Sequence, residues 1–253
     1  MTFWVEHPSI SILVYKSIWK VIDFIFPPTC VGCGVIGESI CQNCLKQVKK
    51  INLPPTNSQF RTNTHFFDFS HFQSLDALYS FALYTPPISS AIKKLKYKRD
   101  IGISNLLAIF LIELYNKVKM DIDMIIPVPL NKKKIKDRGF NQSYFIALPF
   151  SFEIQKPVNK QSLCRTKDTR SQVGLNRDER FSNMSDAFTA NPSQVRGKKI
   201  LLIDDVTTTG ATLEACAHAL KSAGAKDIVA LTVAQAVPTH YGFSDSEFDT
   251  NTA

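Results

Sequence analysis

The chain has 253 residues, 44% of them hydrophobic, and 30 Lys and Arg against 22 Asp and Glu, for a net charge of +8. That length and apolar content make it a globular protein of one sizeable domain plus a small module, and set aside a disordered chain. The positive balance favours polyanionic partners such as nucleotides or nucleic acid and says nothing about fold.

Residues Phe3 to Phe26 are rich in aromatic and branched apolar side chains. Glu6, His7, Lys16, Lys20 and Asp23 interrupt the run, no basic region precedes it and no small-residue cleavage site follows, so neither a signal peptide nor a transmembrane segment is expected. The spacing predicts an amphipathic helix over 9–26, with Ile12, Tyr15, Ile18, Trp19, Ile22 and Phe26 packed on the body of the protein and membrane or partner association as the rival use. A cytoplasmic location is the expectation.

Pro27-Pro28 ends that helix, and Cys30-Val31-Gly32-Cys33 and Cys41-Gln42-Asn43-Cys44 follow, two C-x2-C pairs with seven residues between them. Such pairs place four thiolates on two tight knuckles, the arrangement that tetrahedral Zn²⁺ requires. A disulfide pair is disfavoured without a secretion signal, and a redox C-x-x-C by the duplication and the lack of a preceding strand. With Cys30, Cys33, Cys41 and Cys44 filling every ligand position, no open position is left for a catalytic water, and the zinc is expected to staple a small lobe. Cys164 and Cys216 read as ordinary thiols, Cys216 on the buried face of a helix. Residues 52–74 read as a linker, whose His65 and His71 are assigned to packing or surface because the cysteines already complete a site.

Leu75 to Tyr84 reads as a strand. Ile88 to Tyr97 has helical apolar spacing at Ile88, Ile92 and Leu95, interleaved with Lys93, Lys94, Lys96, Lys98 and Arg99. Those cations suit either a solvated face or a wall for pyrophosphate or a nucleic-acid backbone. A helix over 103–119 leads to the buried strand Met124 to Leu130. Lys132, Lys133, Lys134, Lys136 and Arg138 come next, then Gly139-Phe140-Asn141-Gln142. In a doubly wound sheet ligands lie beyond the carboxyl ends of strands, so this strand end and the one at Asp204-Asp205 should face one crevice. A strand buried on both faces is expected over 227–236, and a polar, acidic tail without fixed structure after Pro238.

The stretch Lys199 to Leu213 carries most of the chemistry. An apolar run ends in Asp204 and Asp205, continues through Thr207, Thr208, Thr209, Gly210, Ala211 and Thr212, and passes into a helix predicted over 213–223. Free backbone N–H groups and the helix dipole favour an anion at such a junction, and Gly210 permits a close approach of the backbone. The two carboxylates repel a bare phosphate but accept hydrogen bonds from ribose hydroxyls, so the loop suits a sugar phosphate. The rival reading is an ordinary strand with an acidic, Thr-capped turn.

This run resembles the phosphoribosyl-pyrophosphate loop of the type I phosphoribosyltransferases, with Thr207 where that pattern has an aliphatic residue. The four-Cys module, Ile92-Lys93-Lys94-Leu95-Lys96-Tyr97, Pro127-Val128-Pro129-Leu130, Arg138-Gly139-Phe140-Asn141-Gln142, a segment from Arg165 through Arg170-Ser171-Gln172 to Leu175, with Arg180 and Asn183 beyond it, and this loop occur together and in order. That combination is similar to the ComF family of phosphoribosyltransferase-like proteins, implicated in DNA uptake during bacterial transformation. The resemblance implies an α/β fold, a type I phosphoribosyltransferase-like parallel sheet flanked by helices, with a small N-terminal zinc module. The implied layout is an amphipathic helix at 1–28, the zinc module at 29–50, a linker at 51–74, the phosphoribosyltransferase-like domain at 75–238 and a flexible tail at 239–253.

The resemblance also implies roles. Asp204 and Asp205 would orient the ribose hydroxyls, and Thr207 to Thr212 would hold the 5′-phosphate. Mg²⁺ with Lys96, Arg138 and Arg165 would neutralise pyrophosphate, and 165–180 would be a mobile segment over the centre, with a charged surface helix preceding Phe181 as the rival reading. Two functions compete: a phosphoribosyl pyrophosphate- and single-stranded-DNA-binding protein of DNA uptake, with DNA-uptake proteins as partners, and a metabolic phosphoribosyltransferase acting on an unidentified acceptor. Tyr97, Phe140 and Tyr144 beside the basic clusters would serve the first through base stacking.

Overall fold

The computed structural model describes residues 8–53, 72–166 and 187–236, with side chains from Leu13 onward. His65 and His71, most of the 165–180 segment and the tail after Pro238 lie outside the described residues.

In chain order the elements are α1 (Pro8–Ile25), α2 (Gln42–Leu45), β1 (Ala77–Leu83), α3 (Ile88–Lys98), α4 (Ile103–Val118), β2 (Met124–Pro127), α5 (Lys132–Arg138), α6 (Gln142–Ile154), β3 (Leu163–Arg165), β4 (Phe188–Ala190), α7 (Pro192–Val195), β5 (Lys199–Thr207), α8 (Ala211–Ser222) and β6 (Asp227–Gln235). Four strands form a parallel sheet in the order β1-β6-β5-β2, while β3 and β4 pair antiparallel beside it. This is the expected α/β parallel sheet flanked by helices. β5 and β6 are buried along nearly their whole length, which explains their continuous apolar runs.

Each face of the sheet carries its own core. On one, Ile92 and Leu95 of α3, Leu107 and Leu111 of α4 and Ile146 and Phe150 of α6 pack on Ile125, Leu201, Ile203 and Leu231. On the other, Leu213, Cys216 and Leu220 of α8, with Leu163 and Phe188, cover Ile126, Leu202, Ile228 and Ala230.

The helix expected over 213–223 starts two residues earlier, because Gly210 at φ +81° lets the chain turn directly into it. The N-terminal helix forms as expected, but its expected face divides. Tyr15 packs its ring at a tilt on Phe152, centroids 5.2 Å apart, and donates to Asn105 Oδ1 at 2.6 Å, whereas Ile18 is 53% and Phe26 72% exposed. Leu13, Val14, Val21 and Phe24 are exposed as well, so the helix is apolar around most of its girth and docks through Tyr15 and Trp19. Among the described residues no helix is long and apolar enough to cross a membrane.

The linker expected from residue 51 begins later. Ile51 N–H donates to Phe81 O and Leu83 N–H to Lys49 O, which ties 49–51 to the free edge of β1. Lys50 Nζ grips both oxygens of Glu113 on α4 at 3.0 and 3.1 Å, and Val31 and Val48 join the first core. The cysteine-bearing lobe is thus docked on the sheet.

Candidate functional site

The site forms where β5 hands over to α8. Asp205 is 3% exposed and Asp204 half-buried. Ser143 Oγ donates to Asp204 Oδ1 at 2.7 Å, and the backbone N–H of Asp205 donates to the same oxygen at 2.9 Å. Lys96 Nζ, from the last turn of α3, pairs with Asp205 Oδ2. Gln142 Nε2 reaches Asp205 Oδ1 at 3.4 Å, and its own Oε1 accepts from Arg138 Nη1 at 3.0 Å. The Arg138 guanidinium in turn lies 5.6 Å from the ring centroid of Tyr97.

The charges within this network are unequal. Burial, and then the charge of Asp205, push the Asp204 carboxyl up to about 7 against the pull of Ser143 and Lys96. Burial works against the Lys96 ammonium, but the Asp205 carboxylate outweighs it and holds the lysine above its usual value. One acid is committed to a buried ion pair while the other sits near neutrality, able to accept or release a proton.

Cations line the crevice from α3 and α5. Lys134 of α5 is held below its usual value by burial and by the charges of Arg138, Arg165 and Lys96, with Asp204 opposing. The structure sets Lys96 against Asp205 and Arg138 against Gln142, with Lys134 nearby, while the Arg165 guanidinium lies 5.5 Å from the ring centroid of Phe188. An anion seated among Lys96, Lys134 and Arg138 would relieve their mutual repulsion. The local reasons are visible in the sequence. Asn131 caps α5 by accepting from Lys134 N–H at 2.7 Å, and Gly139 at φ +83° ends it. Asn141 caps α6 and anchors it to Val128 O at 3.0 Å, which brings Gln142 and Ser143 to the acids.

Past Asp205 the chain runs through Thr207, which is buried; among the described residues neither its hydroxyl nor the side-chain amide of its register neighbour Gln235 finds a partner. The aliphatic residue usual at Thr207 would leave no such hydroxyl. Thr208 is exposed and Thr209 and Thr212 are half-buried; Thr209 Oγ1 accepts from Ala211 N–H at 3.4 Å. Gly210 and Ala211 are buried at the helix start.

The second site is the cysteine lobe. The Sγ atoms of Cys30, Cys33, Cys41 and Cys44 all lie within 4.8 Å of one another, with Cys33 and Cys41 3.7 Å apart. Four sulfurs about 2.3 Å from a central zinc sit roughly 3.8 Å apart, so the cluster fits a tetrahedral ion. Gly32 is required by close packing, since a Cβ there would lie 2.5 Å from Cys44 Sγ. Burial would raise the Cys30 thiol, but backbone groups at Cys33, Cys41 and Gly32 outweigh it and bring it to about 6, whereas Cys44, buried among the other sulfurs, is pushed up to about 12.

A family model for the phosphoribosyl transferase domain matches residues 157–250. The DNA utilization protein YhgH of Shigella flexneri is 32% identical over 156 residues, covering 60% of this chain and 68% of that protein. Competence protein F of Haemophilus influenzae is 25% identical over 224 residues, 82% of this chain and 96% of its own. The chain belongs to the ComF family. Competence protein ComFC of Streptococcus pneumoniae is similar as well, 28% identical over 196 residues, which cover 76% of this chain and 79% of that protein.

In this ComF chain the residues implied by resemblance and those added by the structure divide cleanly. Asp204, Asp205, Lys96 and Arg138 come together, while Arg165 sets its guanidinium over Phe188. Lys134 and Gln142, read on the edge facing the crevice but given no role of their own, join the first four, as does Ser143, which was not singled out. Gln142 stood inside the motif Arg138–Gln142, and the capping pattern at Asn141 was the signal that would have placed Ser143 beside it. Cys216 is buried on α8 as expected, where burial and then Asp204 push its thiol well above the usual value.

Proposed function

We propose that this ComF protein holds phosphoribosyl pyrophosphate at the β5–α8 junction, binds single-stranded DNA along the adjacent basic surface, and acts in DNA uptake. The observation that supports the ligand best is the β5–α8 junction itself, with two acids of different character, a glycine-led helix N-terminus and the cations Lys96, Lys134 and Arg138. Asp204 and Asp205 would accept from the ribose diol, and the amides and hydroxyls of 208–212 would receive the 5′-phosphate. Lys134, Arg138 and Arg165 would face the pyrophosphate. Mg²⁺ suits this oxygen-rich setting, held by the two acids and the ligand's own oxygens, and would supply charge neutralisation. Zn²⁺ would be held by the four cysteines as a structural ion.

For DNA, the exposed ring of Tyr97 beneath Arg138, and Tyr144 with Lys160 Nζ 4.8 Å from its centroid, offer stacking faces beside the lysines of α5. The names of the relatives, competence protein and DNA utilization protein, agree with that use. A proton-carrying acid at Asp204 leaves phosphoribosyl transfer to an acceptor as the second reading, and pyrophosphate release in the presence of candidate bases would separate it from binding alone.

The test is a crystal structure with phosphoribosyl pyrophosphate and Mg²⁺. The 5′-phosphate is expected on the amides of 209–212 and the diol on Asp204 and Asp205; a ligand bound elsewhere, or acids turned from it, would refute the assignment.

A further inference from the structure

Residues 72–76 run across the phosphate loop from outside it, and their attachments are unusually specific. The carboxylate of Glu214, in the first turn of α8, accepts three backbone N–H groups: Oε1 from Gln73 at 3.0 Å and Ser74 at 2.9 Å, Oε2 from Leu75 at 3.0 Å. At the other end of the same helix Lys221 Nζ pairs with Asp76 Oδ2 at 2.9 Å, and that oxygen also accepts Ile228 N–H at 2.7 Å. The strap is therefore fastened to both ends of the helix whose N-terminus forms the phosphate loop.

At its start, Phe72 is 5% exposed and drives its ring edge against Gly210. A Cβ at Gly210 would lie 2.3 Å from Phe72 Cζ and 2.7 Å from Cε1, so ring and loop backbone are in direct contact. Glu214 also lies within one helical turn of the loop, where an unpaired carboxylate would repel a phosphate. Three amide donors absorb that charge.

We propose that the strap presets the phosphate loop, with Phe72 and Glu214 as positioning residues for a sugar 5′-phosphate. Phe72 backs the loop at Gly210, and Glu214 fixes Phe72 while its own charge is neutralised. The inference rests on the reading of the crevice as a phosphoribosyl site. It adds that affinity for the phosphate end depends on side chains outside the loop motif.

Calorimetric titrations with ribose 5-phosphate and, separately, with inorganic pyrophosphate and Mg²⁺ test it on the wild type, Phe72→Ala, Phe72→Leu and Glu214→Gln. Phe72→Ala and Glu214→Gln should weaken ribose 5-phosphate by about tenfold and leave pyrophosphate affinity unchanged. Phe72→Leu, which still fills the space, should stay within about threefold of wild type. Amide exchange at 209–213 should quicken in the two weakened variants. Equal loss for both ligands would mean general damage, and unchanged ribose 5-phosphate affinity would mean a passive strap; either overturns the inference. A wild type that ignores ribose 5-phosphate overturns the crevice reading and this inference together, whereas a binding wild type with unaffected variants overturns this inference alone.

Discussion

Asp204 is the residue on which pH dependence should turn. Its carboxyl is pushed up to about 7 by burial and by the charge of Asp205. The folded state thus retains a proton that the unfolded chain gives up near pH 4, and the associated stability is full below about pH 4 and lost as pH rises through about 7. Denaturant unfolding of the ligand-free protein should show Asp204→Asn gaining on wild type across that interval, by an amount on the order of 2–4 kcal/mol at pH 8. Parallel curves for the two proteins would contradict the assignment. Gly210 gives a second residue-scale prediction, with Gly139 as control. Both have positive φ, but a Cβ at Gly139 meets nothing within 4 Å while one at Gly210 strikes Phe72. Gly139→Ala should cost only the left-handed penalty, roughly 1–2 kcal/mol, and Gly210→Ala about 1–3 kcal/mol more for overpacking; equal losses in denaturant titrations would argue against the contact. Pairings of this kind were the least legible part of the sequence. Lys96 read as a cation for pyrophosphate, but its reach to Asp205 is set by how α3 lies across the sheet and has no local signature.

Among the elements, α5 presents Lys132, Lys133 and Lys136 to solvent. If single-stranded DNA lies there, Lys132→Ala, Lys133→Ala and Lys136→Ala combined should weaken oligonucleotide binding in fluorescence anisotropy. The slope of log affinity against log salt should fall by about 2, from roughly 0.7 per lost phosphate contact. An unchanged slope would move the DNA elsewhere. β5 and β6 were readable because strands buried on both faces give unbroken apolar runs that end in polar residues. α6 was not read: it is apolar on every side, carries Pro149 in its interior, and so lacks the 3.6-residue alternation that marks a half-exposed helix. With α6 went Ser143. For α5, the run of lysines masked a short helix whose Asn131 and Gly139 ends are regular caps.

Across the whole molecule, the cysteine lobe and the sheet behave as one body through Val31, Val48 and the Lys50–Glu113 pair. Chelation should therefore do more than empty a peripheral site. Metal analysis should find one zinc per chain, and Cys30→Ala and Cys41→Ala should each lose it, with a clear drop in melting temperature; a chelated protein that melts as the untreated one does would remove the structural role. The fold class and the module were legible because their signals are local: cysteine spacing, buried strands and a glycine before a helix. The closed ring of contacts around the acids depends on how α3, α5 and α6 pack. The most direct test of the central claim is calorimetry of phosphoribosyl pyrophosphate with Mg²⁺ on the wild type, Asp204→Ala and Asp205→Ala. Saturable binding at one site per chain, weakened at least about tenfold in both variants, is the predicted result, from lost hydrogen bonds between the ribose hydroxyls and the two acids; absence of binding, or equal affinity in all three proteins, would contradict it.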